Sequence, residues 1–249
     1  MTNLIGEFLG TLVLLSFGVG SVANLNLKDS KGAGGGGGGA WIAVTTAWAF
    51  AVVLGVFTSI SLGAPQADLN PAITLAKTML GVYTPGHALI TMLVQVAGGL
   101  AGGAVAWLIY LPHWKITEDK DAKLSCFCTI PAVRNPIANL ITETVVTTIL
   151  VFLVFIIFSK ELSDGGAKFA TGFGPYLVGM LVWGIGLSFG GPTGYAINPA
   201  RDLGPRIAHA ILPMGNKASF DWGYAWIPIV GPMFGAVLAV IMGKTLGIL

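Results

Sequence analysis

Two stretches with the same tripeptide decide how this chain must fold: DLNPAITLA at residues 68–76 and AINPARDLGPR at residues 196–206. In each, Asn followed by Pro indicates a helix start, because the Asn side chain accepts hydrogen bonds from free backbone N–H groups and Pro fits the first helical position. Each predicted helix runs about 10–12 residues, to just before Gly81 or Leu212, which is about 15–18 Å or half a bilayer. We therefore predict two half-helices that enter the membrane without crossing it.

The composition around these stretches is that of a membrane protein. The chain has 249 residues, of which 54% are hydrophobic and only 10% are charged, and its mean hydropathy is +0.80. A soluble protein carries about a quarter charged residues, so too few charges are present to cover a water-facing surface. The chain has 13 basic and 11 acidic residues, so its excess of positive charge is too small to neutralise phosphates. This excludes a nucleic-acid-binding protein. We predict an all-α membrane protein embedded in the lipid bilayer.

Six apolar stretches are long enough to span a bilayer, which takes about 20 residues. They cover about 4–23, 41–62, 87–111, 136–158, 170–190 and 222–246. A removable signal peptide is the alternative for the first stretch, because Ser21-Val22-Ala23 resembles a cleavage site. However, no Lys or Arg precedes Glu7, and Glu7 stands where the apolar core of a signal peptide should begin. A first spanning helix is therefore the favoured interpretation.

Three connections between the spans are polar or rich in glycine. Six consecutive glycines from Gly34 to Gly39 predict a flexible tether, because glycine has no helix propensity. Residues 112–135 carry charges of both signs and predict a solvated, nearly neutral loop. Residues 160–168 predict a short polar turn.

The chain also shows an internal duplication. Glu7 lies in the first span and Glu143 in the fourth, and each half has three spans with one Asn-Pro-Ala half-helix between its second and third. Because three is odd, the second copy must be inverted relative to the first. Inverted repeats with broken helices place the working site at the membrane midplane. We predict one channel domain over 1–249, with half-repeats 1–111 and 136–249 joined by residues 112–135.

The paired motifs resemble those of the aquaporin, or major intrinsic protein, family. They comprise Asn70, Pro71 and Ala72 in the first half, and Asn198, Pro199 and Ala200 in the second, with Arg201 directly after. Asp202 makes the second motif similar to that of the aquaglyceroporins, the glycerol facilitator branch. The resemblance covers essentially the whole chain, including Glu7, Gln95, Glu143 and residues 226–235. It implies six transmembrane helices with two re-entrant half-helices, a homotetramer, and neither a cofactor nor a metal.

The half-helices predict how such a channel would exclude ions. Two helix N-termini that face each other, each equivalent to about half a positive charge, repel cations at the midplane. The amides of Asn70 and Asn198 should offer N–H donors to the pore, which disfavours an unbroken hydrogen-bonded wire for protons. The alternative interpretation is that each Asn-Pro pair only caps a buried helix.

Aligned with the family, the pore constriction would consist of Trp48, Gly186, Tyr195 and Arg201. Trp48 and Tyr195 would form an apolar corner for a carbon backbone, although Phe is more usual than Tyr in this branch. Arg201 would bind hydroxyls through its fixed donors. Its positive charge at membrane depth would exclude cations. Gly186 would leave space where water-selective relatives place His. The alternative for Arg201 is a structural salt bridge with Asp202.

Asp68 is where the chain departs most from the family, whose usual residue at this position is His. The nearby helix N-terminus should favour its ionised form, so Asp68 would accept hydrogen bonds from solute hydroxyls and disfavour organic anions. The alternative is that Asp68 caps the half-helix and never faces the lumen. Glu7 and Glu143 would either relay protons or brace the half-helix loops, and their symmetry favours bracing. Asp202 would also give structural support.

The expected function is passive conduction of glycerol and other small uncharged solutes, with water, and with exclusion of protons and ions. Dihydroxyacetone, neutral lactic acid, urea and hydrogen peroxide remain open as solutes. An ion-coupled secondary transporter would need an ionisable coupling site at the midplane, where two Asn stand instead. A non-conducting structural membrane protein should have a constriction blocked by bulk. No acid, base and nucleophile converge as an enzyme would require, so no catalytic residue is assigned.

The resemblance and the charge pattern disagree about orientation. The resemblance implies a multi-pass protein of the cell membrane with both termini in the cytoplasm. That arrangement leaves Lys77, Lys160, Lys168 and Lys244 inside and seven other basic residues outside. The positive-inside rule would favour the opposite topology. We expect the topology that the resemblance implies.

Overall fold

A computed structural model of the chain describes residues 3–34, 38–159 and 173–249. All regular secondary structure in these ranges is helical. The helices are α1 (Asn3–Asn26), α2 (Gly38–Ser61), α3 (Pro71–Met79), α4 (Pro85–Ile109), α5 (Leu111–Ile116), α6 (Lys120–Phe127), α7 (Pro136–Ile157), α8 (Phe173–Phe189), α9 (Pro199–Ile211), α10 (Trp222–Ala225) and α11 (Ile227–Thr245).

Five segments within the described ranges are long and apolar enough to cross a membrane. They are α1, α2, α4, α7 and the stretch Trp222–Thr245 that contains α10 and α11. The sixth predicted span corresponds to α8, an apolar helix of 17 residues from Phe173. The span was predicted from residue 170, and residues 170–172 lie outside the described ranges. The chain is therefore a multi-pass membrane protein with the six spans and two half-helices expected of an aquaporin-like fold.

The first and last spans of each half pack at glycine-mediated contacts. A Cβ atom added at Gly98 on α4 would lie 2.4 Å from the backbone oxygen of Phe8 on α1. In the second half, a Cβ atom at Gly235 on α11 would lie 2.6 Å from the backbone oxygen of Thr144 on α7. Only glycine permits backbones to approach this closely, which is how small residues hold helices together in a bilayer. Equivalent helices of the two halves thus pack in the same way.

The half-helices differ in length from the prediction. Helix α3 has 9 residues and α9 has 13, so the first is shorter and the second slightly longer than expected. Helix α3 stops because Gly81 takes a left-handed conformation with φ +81°. At about 1.5 Å per residue neither helix crosses a bilayer, so both are re-entrant.

The prediction that residues 112–135 form a solvated loop is wrong in part, because α5 and α6 fold within it. Trp114 and Lys123 are each 1% exposed. The Lys123 ammonium donates to the backbone oxygens of Met214 at 3.2 Å and Asn216 at 2.8 Å. Burial lowers the pKa of Lys123, and these carbonyls compensate part of the cost of removing a charge from water. The segment is a packed cover over the end of α9.

The glycine run is not wholly a tether. Helix α2 begins at Gly38, so the last two glycines of the run are helical, and residues 35–37 lie outside the described ranges. A helical glycine costs about 1 kcal/mol relative to alanine, which the long apolar helix that follows can offset. The polar turn predicted at residues 160–168 also lies outside the described ranges.

Candidate pore and selectivity filter

Asn70 and Asn198 are the N-caps of the two half-helices. Asn70 Oδ1 accepts from the Ala72 backbone N–H at 2.9 Å. Asn198 Oδ1 accepts from Ala200 N at 2.9 Å and from Arg201 N at 3.2 Å. Each cap is in an extended conformation with φ −154°, and each is followed by Pro at the first helical position. The Asn-Pro pair therefore determines where each of the two helices starts.

The same two side chains also reach across to the opposite half. Asn70 Nδ2 donates to the backbone oxygen of Ile197 at 2.9 Å, and Asn198 Nδ2 donates to that of Leu69 at 2.8 Å. Each amide nitrogen carries two protons, so one remains after this hydrogen bond has formed. The caps use only the Oδ1 atoms, so capping does not use all of the hydrogen-bonding capacity of either Asn. Both Asn residues also line the cavity described below.

Two buried carboxylates hold the loops that lead into the half-helices. The oxygens of Glu7 accept from the backbone N–H groups of residues 68 and 69 at 2.8 and 2.9 Å. The oxygens of Glu143 accept from residues 196 and 197 at 3.0 and 2.9 Å. Glu7 is 0% exposed and Glu143 is 1% exposed. These are the contacts that backbone bracing requires, and they occupy equivalent positions in the two halves.

Both loops contain the same unusual backbone geometry. Ala67 and Leu69 have φ angles of 42° and 52°, and Tyr195 and Ile197 have angles of 38° and 45°. Non-glycine residues adopt this left-handed region at a cost of about 1–3 kcal/mol each. The bonds from the loops to Glu7 and Glu143 help to hold these conformations in place. The repetition of the pattern supports an inverted duplication of one structural unit.

One cavity of about 190 Å³ runs beside the meeting point of the half-helices. Several polar residues line it, namely Gln66, Asp68, Asn70, Lys77, Asn198 and Arg201. Most of the remaining lining is apolar and includes Leu14, Trp48, Val52, Val56, Ile60, Ile73, Leu150, Val154, Phe158, Val178 and Val182. A lumen with an apolar wall and a few polar groups suits a small solute that has both a carbon backbone and hydroxyls.

Arg201 and Trp48 meet in the wall of this cavity. The Arg201 Cζ atom lies 4.1 Å from the centroid of the Trp48 ring, and Trp48 is 3% exposed. Within the described ranges, Arg201 Nη1 is buried and has no hydrogen-bond partner. Stacking on the ring holds the guanidinium without using all its donors. Arg201 Nη1 therefore retains its hydrogen-bond donors.

The alternative of a salt bridge between Arg201 and Asp202 is wrong. Asp202 Oδ1 accepts from Arg206 Nε at 2.8 Å, one helical turn further along α9. Asp202 Oδ2 accepts from the backbone N–H of Thr129 at 2.8 Å and from its hydroxyl at 2.6 Å. Asp202 and Arg206 are both fully buried. This carboxylate thus ties α9 to the segment 112–135 and leaves the Arg201 charge beside the lumen.

The space predicted beside Gly186 is filled, so that interpretation is wrong. A Cβ atom at Gly186 would lie 2.9 Å from Tyr195 Cζ and 3.0 Å from Tyr195 Oη. At Gly190, directly after the end of α8, it would lie 2.5 Å from Tyr195 Cδ1. The Tyr195 ring therefore packs directly on the backbone at the end of α8, and the Trp41 ring contacts it in a T-shaped arrangement with 6.0 Å between centroids. Gly186 determines where this ring lies rather than leaving a gap.

Replacing Gly186 with Ala should therefore alter solute selectivity through Tyr195. The added methyl group would lie 2.9 Å from both Tyr195 Cζ and Thr45 Cγ2, so we expect it to displace the ring towards the lumen, and such overpacking typically costs about 1–3 kcal/mol. We expect glycerol flux to fall more than water flux, measured by stopped-flow light scattering on reconstituted vesicles. The additional change Tyr195→Ala removes the ring and should restore the glycerol-to-water ratio. A ratio that stays low in the double variant would show that Gly186 acts independently of Tyr195.

Asp68 is not the helix cap, so that alternative is wrong. The residue is among those that line the cavity, but its carboxylate is buried and pairs with Lys77. The cap is Asn70, and the Asp68 side chain is 0% exposed. Asp68 Oδ1 accepts from Lys77 Nζ at 2.6 Å, and Asp68 Oδ2 accepts from the Thr74 hydroxyl at 2.9 Å. The partly exposed member of the ion pair is Lys77, whose side chain is 17% exposed.

Lys77 is the residue of this site that the motif-based interpretation missed. It lies in the last turn of α3, and its charge was considered only for orientation. A signal was present, because a lysine inside a half-helix lies at membrane depth and requires a partner. The nearby acid Asp68 meets that requirement once the loop before α3 folds back.

Two half-helices that meet beside one cavity, within a bundle of membrane-spanning helices, define a membrane channel. The sequence matches the family described as "Major intrinsic protein" over residues 1–242. It is 47% identical over 242 residues to the "Probable glycerol uptake facilitator protein" of Thermotoga maritima, covering 96% of each chain. It is 39% identical over 241 residues to the "D/L-lactic acid transporter" of Lactiplantibacillus plantarum, covering 95% of this chain and 94% of that one.

A solved structure shows the same fold. The aquaglyceroporin from Plasmodium falciparum matches with a TM-score of 0.82 at 27% identity, covering 98% of this chain and 95% of that one. The chain therefore belongs to the major intrinsic protein family, and the resemblance to its aquaglyceroporin branch is confirmed.

Proposed function

We propose that this chain passively conducts glycerol and other small uncharged solutes, with water, while excluding protons and ions. The observation that carries this proposal is the cavity, in which an apolar wall faces polar groups that include an unpartnered donor of Arg201. A polyol can place its carbon backbone against the apolar wall and its hydroxyls against the donors. The similarity to a chain named as a glycerol uptake facilitator supports the same solute class.

The residues of the cavity have distinct roles in this proposal. The remaining N–H of Asn70 and of Asn198 donates to the solute at the midplane, where the two helix N-termini repel cations. Because water or a hydroxyl there accepts from both amides, the hydrogen-bonded wire that protons would need is interrupted. Trp48, Tyr195 and Arg201 form the selectivity filter, and Gly186 positions Tyr195.

The solute range extends to other small uncharged molecules with hydrogen-bonding groups. Dihydroxyacetone, urea and hydrogen peroxide share these properties, and so does lactic acid in its neutral form. The similarity to a protein named as a lactic acid transporter supports the last of these. Cations are excluded because the two helix N-termini and the Arg201 guanidinium give the lumen a positive potential.

We place the protein in the cell membrane as a homotetramer with both termini in the cytoplasm. Residues near both ends of the chain lie on the same side: a Cβ atom at Gly6 would lie 2.6 Å from Ala64 Cβ. Leu249 lines a second cavity together with Gln66, close to Ala64 in the chain. A single channel domain made of half-repeats 1–111 and 136–249, joined by 112–135, fits this arrangement.

Solute flux into reconstituted vesicles tests the proposal. A glycerol gradient across vesicles that contain the purified chain should drive shrinkage followed by fast re-swelling, measured by stopped-flow light scattering. The flux should increase linearly with the gradient and should not change when a proton or sodium gradient is collapsed. Re-swelling no faster than in protein-free vesicles, or flux that depends on an ion gradient, would contradict a passive glycerol channel.

A further inference from the structure

We infer that the Lys77 ammonium is a second solute-binding group, which donates hydrogen bonds to the hydroxyl oxygens of a polyol at the mouth of the pore. Lys77 lies near the end of α3, on the other side of the midplane from Arg201, which lies in the first turn of α9. The inference rests on the proposed function, because that function supplies the polyol.

Lys77 lies at the neck between two cavities. The pore cavity adjoins a wider cavity of about 620 Å³, which the end of α7 and residues 247–249 also line. Both cavities share the lining residues Pro65, Gln66, Lys77, Val154 and Phe158, which we call the neck. Of these five side chains, only Lys77 is charged. A solute that passes from the wide cavity into the pore through the neck passes this side chain.

The Lys77 ammonium retains a donor for a solute. Its Nζ atom donates to the Gln66 backbone oxygen at 2.9 Å and to Asp68 Oδ1 at 2.6 Å. An ammonium group carries three protons, so these two bonds leave one. Because the side chain is 17% exposed, the remaining proton can reach a solute oxygen. The aromatic ring of Phe158 and the side chain of Val154 provide apolar surface in the same neck for the carbon atoms of the solute.

Asp68 is a positioning residue for this donor. Its buried carboxylate accepts a hydrogen bond from the Lys77 ammonium at Oδ1 and one from the Thr74 hydroxyl at Oδ2. Gln95 Nε2 donates both to Thr74 Oγ1 and to Glu7 Oε2, each at 2.9 Å. The network extends from the neck to the carboxylate that braces the loop before α3. Because Asp68 balances the Lys77 charge, the ammonium provides a hydrogen bond without a net charge at the neck.

Replacement of Lys77 by Met tests the inference, because Met keeps the length of the side chain and removes its donors. We expect the glycerol-to-water permeability ratio to fall at least about tenfold, as the loss of one hydrogen bond to a charged group implies. The single variant leaves the buried Asp68 carboxylate unpaired, which can impair folding. The double variant Asp68→Asn/Lys77→Met removes both charges and should show the same fall. Lys77→Arg restores a donor and should restore most of the ratio.

Lys244→Met is the matched control, because this exposed lysine lies outside the neck near the end of α11. The glycerol-to-water permeability ratio of Lys244→Met should equal that of the wild-type chain. Asp68→Ala should lower the ratio, whereas Asp68→Asn, which keeps an oxygen acceptor for the ammonium, should retain most of it. An unchanged ratio in the double variant, with normal glycerol flux through the unchanged chain, would overturn the role of Lys77 and leave the proposed function intact. Absence of glycerol flux through the unchanged chain would overturn both.

Discussion

Replacing Arg201 with Leu should raise the leak of protons and small cations through the pore at least about tenfold. The guanidinium lies beside the lumen on the Trp48 ring, and Asp202 does not neutralise it because that carboxylate binds Arg206. Two unit charges 4 Å apart repel by about 4 kcal/mol at an effective dielectric constant of 20, which corresponds to more than a hundredfold in rate. The midplane field of the half-helices remains in the variant, so we expect a smaller effect than this limit.

A pH-sensitive dye inside vesicles measures this leak when a proton gradient is applied. Arg134→Leu is the matched control, because it removes a guanidinium from an exposed side chain that pairs with Asp221. That variant should keep the leak of the unchanged chain. If Arg201→Leu vesicles hold a proton gradient as long as the control does, the barrier to cations lies elsewhere, and Arg201 serves only to bind solute.

Replacing Glu143 with Gln should lower the melting temperature of the detergent-solubilised protein by about 5–10 °C. Both oxygens of this buried carboxylate accept backbone N–H groups, from residues 196 and 197. The amide nitrogen of Gln would direct a donor at one of those N–H groups and leave it unpaired. A buried donor without a partner costs about 1–3 kcal/mol, and loss of the charge weakens the bond that remains.

Two further variants show whether this loss belongs to the bracing role. Glu7→Gln should cause a loss of similar size, because Glu7 makes the equivalent bonds in the first half. Glu118→Gln changes an exposed carboxylate and should leave the melting temperature unchanged. A Glu143→Gln variant with the same melting temperature as the wild-type chain would show that the loop before α9 does not depend on this carboxylate. Slower proton flux without a change in melting would instead favour a proton relay.

The features predicted from the sequence are those that local chemistry determines. Asn70 and Asn198 start helices because their own side chains cap them, and the following prolines fit the first turn. The inverted duplication follows from counting spans, and the position of Glu7 and Glu143 in equivalent spans indicates bracing contacts that the geometry contains. None of these inferences requires knowledge of how distant side chains pack.

The features that the sequence did not predict depend on such packing. Tyr195 lies on the backbone of α8, in the place that Gly186 was expected to leave open, and only the relative position of two helices reveals this. Lys123 was placed in a solvated loop, but its partners are carbonyls beyond α9, more than eighty residues away. The pairing of Asp68 with Lys77 depends on a left-handed turn at Ala67 and Leu69, which no residue type at those positions indicates.

The reciprocal bonds between Asn70 and Ile197 and between Asn198 and Leu69 have a consequence for biosynthesis. During translation the first half enters the membrane while its partners at residues 197 and 198 have not yet been made. The Leu69 carbonyl and the Asn70 amide then have no protein partner and must stay hydrated or bound by the insertion machinery, because lipid offers them none. The nascent chain can therefore complete the centre of its pore only after the ribosome has synthesised the second half-repeat as far as Asn198.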